Sequence, residues 1–256
     1  MLALERRNRI LEKLQDEKKV VVSELSKLYK VSEETIRRDL EKLEQEGFAT
    51  KSYGGAVLNE NVAFDMPLTI RSKKNVGAKQ RVAELAAAQI HEGDHIVLDA
   101  SSTDLYIAKS IKSKQHLTVV TNSIEIILEL SEVPGWTVIS TGGNLMEGYL
   151  ALVGPQAEST LRSFYVDKAF ISCKAIDFDH GIMDSMETFT SMKQAIIDSS
   201  TKSYLVVDHT KFNKTAFTRT GAIDCVDYII TDCKPEAEWI DFLEQRGVGL
   251  IYPENE

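Results

Sequence analysis

Cysteine is scarce. The 256 residues hold three, Cys173, Cys225 and Cys233, at spacings that match neither a disulfide framework nor a CxxC pair. A disulfide-stapled scaffold and a cysteine-rich zinc module are therefore excluded, and the thiols read as reduced packing residues. Five prolines and fourteen glycines are too few for a low-complexity or collagen-like chain. No apolar run approaches the roughly 20 residues of a membrane-spanning helix. The amino-terminal MLALERRNRILEKL carries charges where a signal peptide has its apolar segment, so a cytoplasmic protein with no membrane partner is expected. Positive charge is also short, with a formal net of −9.

What is present is ordinary for a folded protein: 43% hydrophobic and 27% charged residues. The charge deficit is uneven. Residues 1–56 hold 12 Lys and Arg against 11 Asp and Glu, while the remaining 200 residues hold 18 against 28. The acid belongs to the second part. A near-neutral first part still binds nucleic acid if its cations share one face, because phosphates respond to the local field.

In that first part Leu4, Ile10, Leu11 and Leu14 recur at helical spacing and predict an amphipathic helix ending near residues 16–18. VSELSKLYK predicts a second, short helix capped by Ser23, with Leu25 and Leu28 inward and a break near Lys30. Ser32, with Thr35 three positions on, caps a third. Its buried stripe is Ile36, Leu40 and Leu43, and Glu33, Arg37, Arg38 and Lys42 are left for its outer surface. Two helices joined by such a turn form a helix-turn-helix, whose second helix can enter the major groove of double-stranded DNA. Ser32, Glu34, Thr35, Arg37 and Arg38 are then the candidate contacts. FATKSYGGAV reads as a hairpin wing presenting Lys51, Tyr53 and Gly54 to phosphates. The competing reading is a solvated helix with surface ion pairs, each worth under about 1 kcal/mol.

Periodicity fades after Val57. Asn59, Glu60, Asn61 and Pro67 mark a linker, giving a DNA-binding domain at 1–57, a linker at 58–74 and a second domain at 75–256. In the second domain the strands HIVLDA, LTVVT, TVIST, KAFISC, SYLVVD and DYIIT alternate with helical stretches, the pattern of an α/β, Rossmann-like domain with a mostly parallel sheet. Ligands bind such sheets beyond the carboxyl ends of the strands. There stand Asp99-Ala100-Ser101-Ser102-Thr103, Thr121-Asn122-Ser123 and Thr141-Gly142-Gly143-Asn144, small polar loops suited to a phosphate. Each alone is also an ordinary helix cap or turn. Their shared edge makes them a candidate pocket, with Arg71, Lys79, Lys193 and Lys211 as candidate counter-cations.

VSEETIRRDLEKLEQEGFATKSYGGAV resembles the winged helix-turn-helix signature of the DeoR family of bacterial transcription regulators, with Tyr53 where many members have His. The resemblance covers essentially the whole chain. It implies a repressor of a carbohydrate catabolism operon, bound to double-stranded operator DNA as a homodimer or higher homo-oligomer. It implies no cofactor, and as inducer a phosphorylated sugar, sugar acid or polyol. Family positions carry over to Arg71, Asn75, Lys79, Asp99, Ser102, Thr103, Thr121, Asn122, Ser123, Gly142, Gly143, Gly154, Glu187, Lys193, Asp208 and Lys211. One loop departs: where many members have Asp-Ala-Gly-Ser-Thr-Thr, this chain has Ser101 for the glycine and Asp104 for the last threonine.

The effector domain is similar in fold to ribose-5-phosphate isomerase and glucosamine-6-phosphate deaminase, so an isomerase-like enzyme is the alternative. Isomerisation needs a base and a paired acid within hydrogen-bond reach of the substrate. Ile171-Ser172-Cys173-Lys174-Ala175 stands where the isomerases carry an acid-rich run, although Asp167, Asp177 and Glu187 lie nearby. We expect no catalytic site. No metal site is expected either. His91 and His95 flank a turn, and Asp177, Asp179 and Asp184 around Gly181 lack the closing Glu of a calcium loop and read as solvated.

Overall fold

Left-handed residues punctuate the first helices. Lys18 (φ 64°) ends α1 (Ala3–Glu17), and Lys30 (φ 54°) ends α2 (Val22–Tyr29) with its N–H donated to the Ser26 carbonyl. The computed structural model describes residues 2–45, 47–58 and 68–254; the side chain of Leu4 and the segment with Asn59, Glu60, Asn61 and Pro67 lie outside the described residues. The chain divides into two units, Met1–Ile70 and Arg71–Glu256. The division falls inside a short helix, α4 (Leu68–Arg71), within the stretch read as linker.

In the first unit β1 (Lys19–Val21) precedes α2, and α3 (Glu33–Gln45) leads into a hairpin of β2 (Ala49–Ser52) and β3 (Gly55–Leu58). The strands form an antiparallel sheet in the order β1-β3-β2. Gly54 turns the hairpin at φ 81°, and a Cβ on Gly55 would lie 2.0 Å from the Val20 carbonyl oxygen, so no other residue fits there. Ile10, Leu11, Leu14, Leu25, Ile36, Leu40 and Leu43 are buried together. Two expectations fail. The strand β1 runs straight into α2, so Val21 occupies the cap position and Ser23 lies inside the helix. Leu28 is 58% exposed, because Tyr29, four residues after Leu25, continues the inner stripe.

The second unit runs α5 (Val76–Gln89), β4 (His95–Leu98), α6 (Ser102–Ser110), β5 (Thr118–Thr121), α7 (Ile124–Leu130), β6 (Thr137–Ser140), β7 (Asn144–Met146), β8 (Ala151–Val153) and α8 (Pro155–Arg162). It continues with β9 (Val166–Ile171), β10 (Ala175–Asp177), β11 (Gly181–Asp184), α9 (Glu187–Asp198), β12 (Ser200–Val206), β13 (Thr218–Gly221), β14 (Tyr228–Ile230), α10 (Ala237–Gln245) and β15 (Gly249–Ile251). Seven strands form a parallel sheet in the order β15-β14-β12-β9-β4-β5-β6. Alternate residues serve opposite faces. Ile96, Leu98, Val119, Phe170, Tyr204 and Val206 pack with α5, α6 and α7, whereas Val97, Val120, Ala169, Ile171 and Leu205 pack with α8, α9 and α10. Burial on both faces is why these strands read as continuous apolar runs. The antiparallel additions β7-β8 and β10-β11-β13 were not expected from the sequence.

The chain fills β4, β5 and β6 on one side, then crosses to β9 on the other side of β4. The crevice beyond the carboxyl ends of β4 and β9 is thus the topological switch point, where α/β sheets bind ligands.

Candidate functional sites

The candidate DNA-contacting surface is built on α3. The Ser32 hydroxyl accepts the Thr35 N–H at 3.2 Å and meets the Thr35 hydroxyl at 2.9 Å, fixing the helix start as the sequence predicts. Arg6 of α1 is buried. Its guanidinium donates to Asp39 at 2.5 and 3.3 Å and ties α1 to the buried side of α3. On the outer side Arg37 pairs with Glu33 at 2.7 Å and Arg38 with Glu34 at 3.3 Å. Lys51 of β2 pairs with Glu41 at 2.8 Å, which raises the lysine and holds the Glu41 carboxyl below the usual range. Tyr53 is fully exposed at the hairpin tip. The surface thus presents candidate contacts on α3 and on the wing, each cation carrying an intramolecular carboxylate.

The candidate ligand-binding edge is built on the loop after β4. Asp99 is buried, its carboxylate accepting the Ala100 N–H at 2.8 Å. Ser101 caps α6 by accepting the N–H groups of Thr103 and Asp104, and its hydroxyl donates to the Asp104 carboxylate. Ser102 and Thr103, the first residues of α6, are also buried. Beyond β5, Thr121 donates to the Leu98 carbonyl at 2.7 Å, Asn122 accepts the Ala100 N–H at 2.9 Å, and Ser123 caps α7. The two loops are therefore one hydrogen-bonded ledge. Lys193 of α9 reaches it from the other face, its ammonium 3.2 Å from Asp99 and 2.9 Å from Asp184, and these carboxylates raise it despite full burial.

Asp184 corrects an expectation. Read as part of a solvated loop, it is buried at the end of β11 and holds Lys193. Asp179 and His180 at the turn are exposed, and the half-buried Asp177 is bound to His180 at 2.6 Å. Lys79 is also buried, but its ammonium donates to the carbonyls of Arg71 and Lys74, so it closes the 71–74 turn; burial pulls it down to about 8. Arg71 lies over the Tyr149 ring at 5.5 Å. Asp208 accepts from Thr210 and lies 3.5 Å from Asn75 Nδ2, with Lys211 in the same short turn. Gly143 (φ 104°) leaves room for the Val153 carbonyl, which would stand 2.7 Å from a Cβ, so its smallness serves the chain's own packing. Gly142 (φ 62°) faces open space. Glu187 is exposed at the start of α9. Asp167 lies at the opposite, amino end of β9, bonded to the His95 N–H at 2.8 Å.

Cys173 is buried and its thiol is pushed up to about 12, so it is a packing residue with no thiolate character. Among the described residues one mixed donor group, His209, Asp232 and Cys233, brings its atoms within 4.8 Å of one another. Asp232 is already engaged by the His209 N–H at 2.7 Å and its Nδ1 at 2.8 Å.

Two family descriptions match this arrangement, "DeoR-like helix-turn-helix domain" over residues 6–62 and "DeoR C terminal sensor domain" over residues 74–233. The chain belongs to the DeoR family. An uncharacterized HTH-type transcriptional regulator of Bacillus subtilis, YulB, is 39% identical across 98% of this chain and 96% of that protein. The transcriptional repressor AccR of Agrobacterium fabrum is 34% identical across 89% of each. Among solved structures, ribose 5-phosphate isomerase A of Methanocaldococcus jannaschii covers 54% of this chain and 55% of its own, with a TM-score of 0.40 at 14% identity. This DeoR-family regulator therefore binds DNA through its first unit. No helix among the described residues is long and apolar enough to cross a membrane.

Proposed function

We propose that this protein represses a carbohydrate operon and is released from its operator by a phosphorylated sugar, sugar acid or polyol bound at the carboxyl edge of the sensor sheet. The observation that carries this reading is the buried Lys193 ammonium beneath the Ser101–Asp104 and Thr121–Ser123 ledge, at the switch point between β4 and β9. Burying three charges is costly, and structural stability alone is a poor reason to keep them. The candidate anion-binding groups are Ser102, Thr103, Ser123, Arg71 and Lys211 around that ledge. A ligand with different affinities for the DNA-competent and DNA-incompetent arrangements shifts their populations, and only by that difference. A winged unit of this size reads one half-site, so a homo-oligomer acting in the cytoplasm completes the reading.

Regulation without catalysis is supported by the placement of the acids. Asp99 and Asp184 are bound to Lys193, Asp167 is at the opposite end of the sheet, and Glu187 is exposed, so these four acids do not bring a base and an acid to one substrate position. The test is fluorescence anisotropy of the full chain on labelled DNA from upstream of its own and neighbouring genes, at stated salt, with and without a panel of sugar phosphates. Specific binding released by one compound supports the reading. Absence of specific binding, with turnover of a sugar phosphate that Glu187→Gln abolishes, overturns it.

A further inference from the structure

Buried polar atoms in folded proteins are nearly always hydrogen bonded, so the exceptions are informative. Among the described residues five buried side-chain atoms lack a hydrogen-bond partner: Arg71 Nε, Asp99 Oδ2, Asp104 Oδ1, Glu125 Oε2 and Thr220 Oγ1. The first four belong to the ledge and its surroundings. Asp99 and Asp104 lie on the loop after β4, Glu125 is the second residue of α7 after β5, and the Arg71 charge acts on both Glu125 and Lys79. Asp99 Oδ2 is ion-paired with Lys193, which leaves two carboxyl oxygens, Asp104 Oδ1 and Glu125 Oε2, and one cationic nitrogen, Arg71 Nε, without a partner. The unfilled positions therefore ask for a ligand with donors at one end and an acceptor at the other.

Asp104 makes the request specific. It is wholly buried, and the Ser101 hydroxyl proton is directed to its Oδ2, which leaves Oδ1 as the open position. Asp99 Oδ2 is already ion-paired with Lys193 Nζ at 3.2 Å, so it is Asp104 Oδ1 that stands without a partner. The Lys193 ammonium is shared with Asp184, so two buried carboxylates already hold the one buried cation, while the Asp104 carboxyl is in contact with the Ser101 hydroxyl. Burial and the Asp99 charge raise the Asp104 acid well above the usual carboxylate range. The excess charge is then that of Asp99 and Asp184 over Lys193, and a ligand hydroxyl would fill the open hydrogen-bond position at Asp104 and leave that excess in place. An ammonium supplies both donors and charge.

We propose that the effector is a phosphorylated amino sugar, whose ammonium is addressed to the Asp99–Asp104 loop and whose phosphate lies toward Arg71. The proposal rests on the sugar-phosphate reading above and narrows it to one chemical class. The residue that selects this class is Asp104, at the position where the family pattern of the loop carries threonine.

The test is isothermal titration of the full chain, without DNA, using matched pairs: glucosamine 6-phosphate against glucose 6-phosphate and N-acetylglucosamine 6-phosphate, and the same three compounds of the galactose series. In at least one series the free amine is expected to bind 10-fold or more tightly than both partners. Asp104→Thr is expected to reduce that preference below about 3-fold by weakening the amine alone, a split that general unfolding would not produce; thermal melts of the variant check its fold. Equal or weaker binding of the amine in both series, with the hydroxyl compounds bound, overturns the amino-sugar proposal and leaves the sugar-phosphate reading standing. Binding of none of the six overturns the amino-sugar proposal and leaves the wider sugar-phosphate reading to the operator-release panel above.

Discussion

Arg6 donates its Nε to Asp39 at 2.5 Å across 33 residues of sequence, and both side chains are buried. This pair sets how α3 sits on α1, and so where Arg37 and Arg38 are aimed. Removing one partner leaves a buried charge uncompensated, a loss of about 3–5 kcal/mol. Asp39→Asn should therefore unfold the first unit at lower urea and weaken operator binding with it. The double change Arg6→Met with Asp39→Leu should be less destabilising than either single change. Urea curves of full-length variants decide it: an Asp39→Asn midpoint equal to wild type would remove the pair from this role.

The outer face of α3 predicts a contrast. Arg38→Ala should cost about 1–3 kcal/mol on the operator and relax its base preference, as expected of a base-edge contact. Lys51→Ala should weaken operator and random DNA alike and lower the salt slope by about 0.9. Glu34→Gln, which frees Arg38 from its 3.3 Å partner, should raise affinity for random DNA. Anisotropy at three salt concentrations separates these outcomes, and equal losses for Arg38→Ala on both DNAs would make Arg38 a phosphate contact.

Lys193 stands between two buried carboxylates, so Lys193→Met should destabilise the sensor unit by about 3–5 kcal/mol, visible as a lowered melting temperature. Lys193→Met combined with Asp184→Leu should recover part of the loss. A Lys193→Met protein that melts like wild type would mean that the cluster contributes nothing to the folded state.

Lys79 gives a pH signature. Its folded value of about 8 lies below the ordinary 10.5, so between these values the unfolded chain binds more protons and stability rises with pH. The penalty is fully present below about pH 8 and is relieved toward 10.5. The stability of wild type relative to Lys79→Met should therefore improve by roughly 2 kcal/mol between pH 7.5 and 9.5. Denaturant unfolding at the two pH values measures it, and a constant difference would show that Lys79 titrates normally.

Local patterns were legible in the sequence where local chemistry decides. Ser32 with Thr35, the Ile36-Leu40-Leu43 stripe, the Gly54-Gly55 turn and the apolar strands each follow from capping, periodicity or backbone geometry over a few residues. Ser23 and Leu28 were misread because β1, three residues long, and Tyr29 compete for the same turns. Burial of charge was not legible. Arg6, Asp184 and Lys79 look like surface residues in the chain, and only the packing of distant elements encloses them. Polar loops on one edge were visible, whereas the supply of unpaired carboxylate oxygen among them depends on which atoms meet across the sheet.

The central claim is that a ligand at the carboxyl edge controls what α3 does on DNA. The most direct measurement is anisotropy of operator-bound full chain, at fixed salt, titrated with the sugar phosphate that binds best, for wild type and Lys211→Ala in parallel. The account predicts release of wild type, and release of Lys211→Ala only at 10-fold or higher ligand concentration. Release of both proteins at one concentration, or of neither, would contradict it.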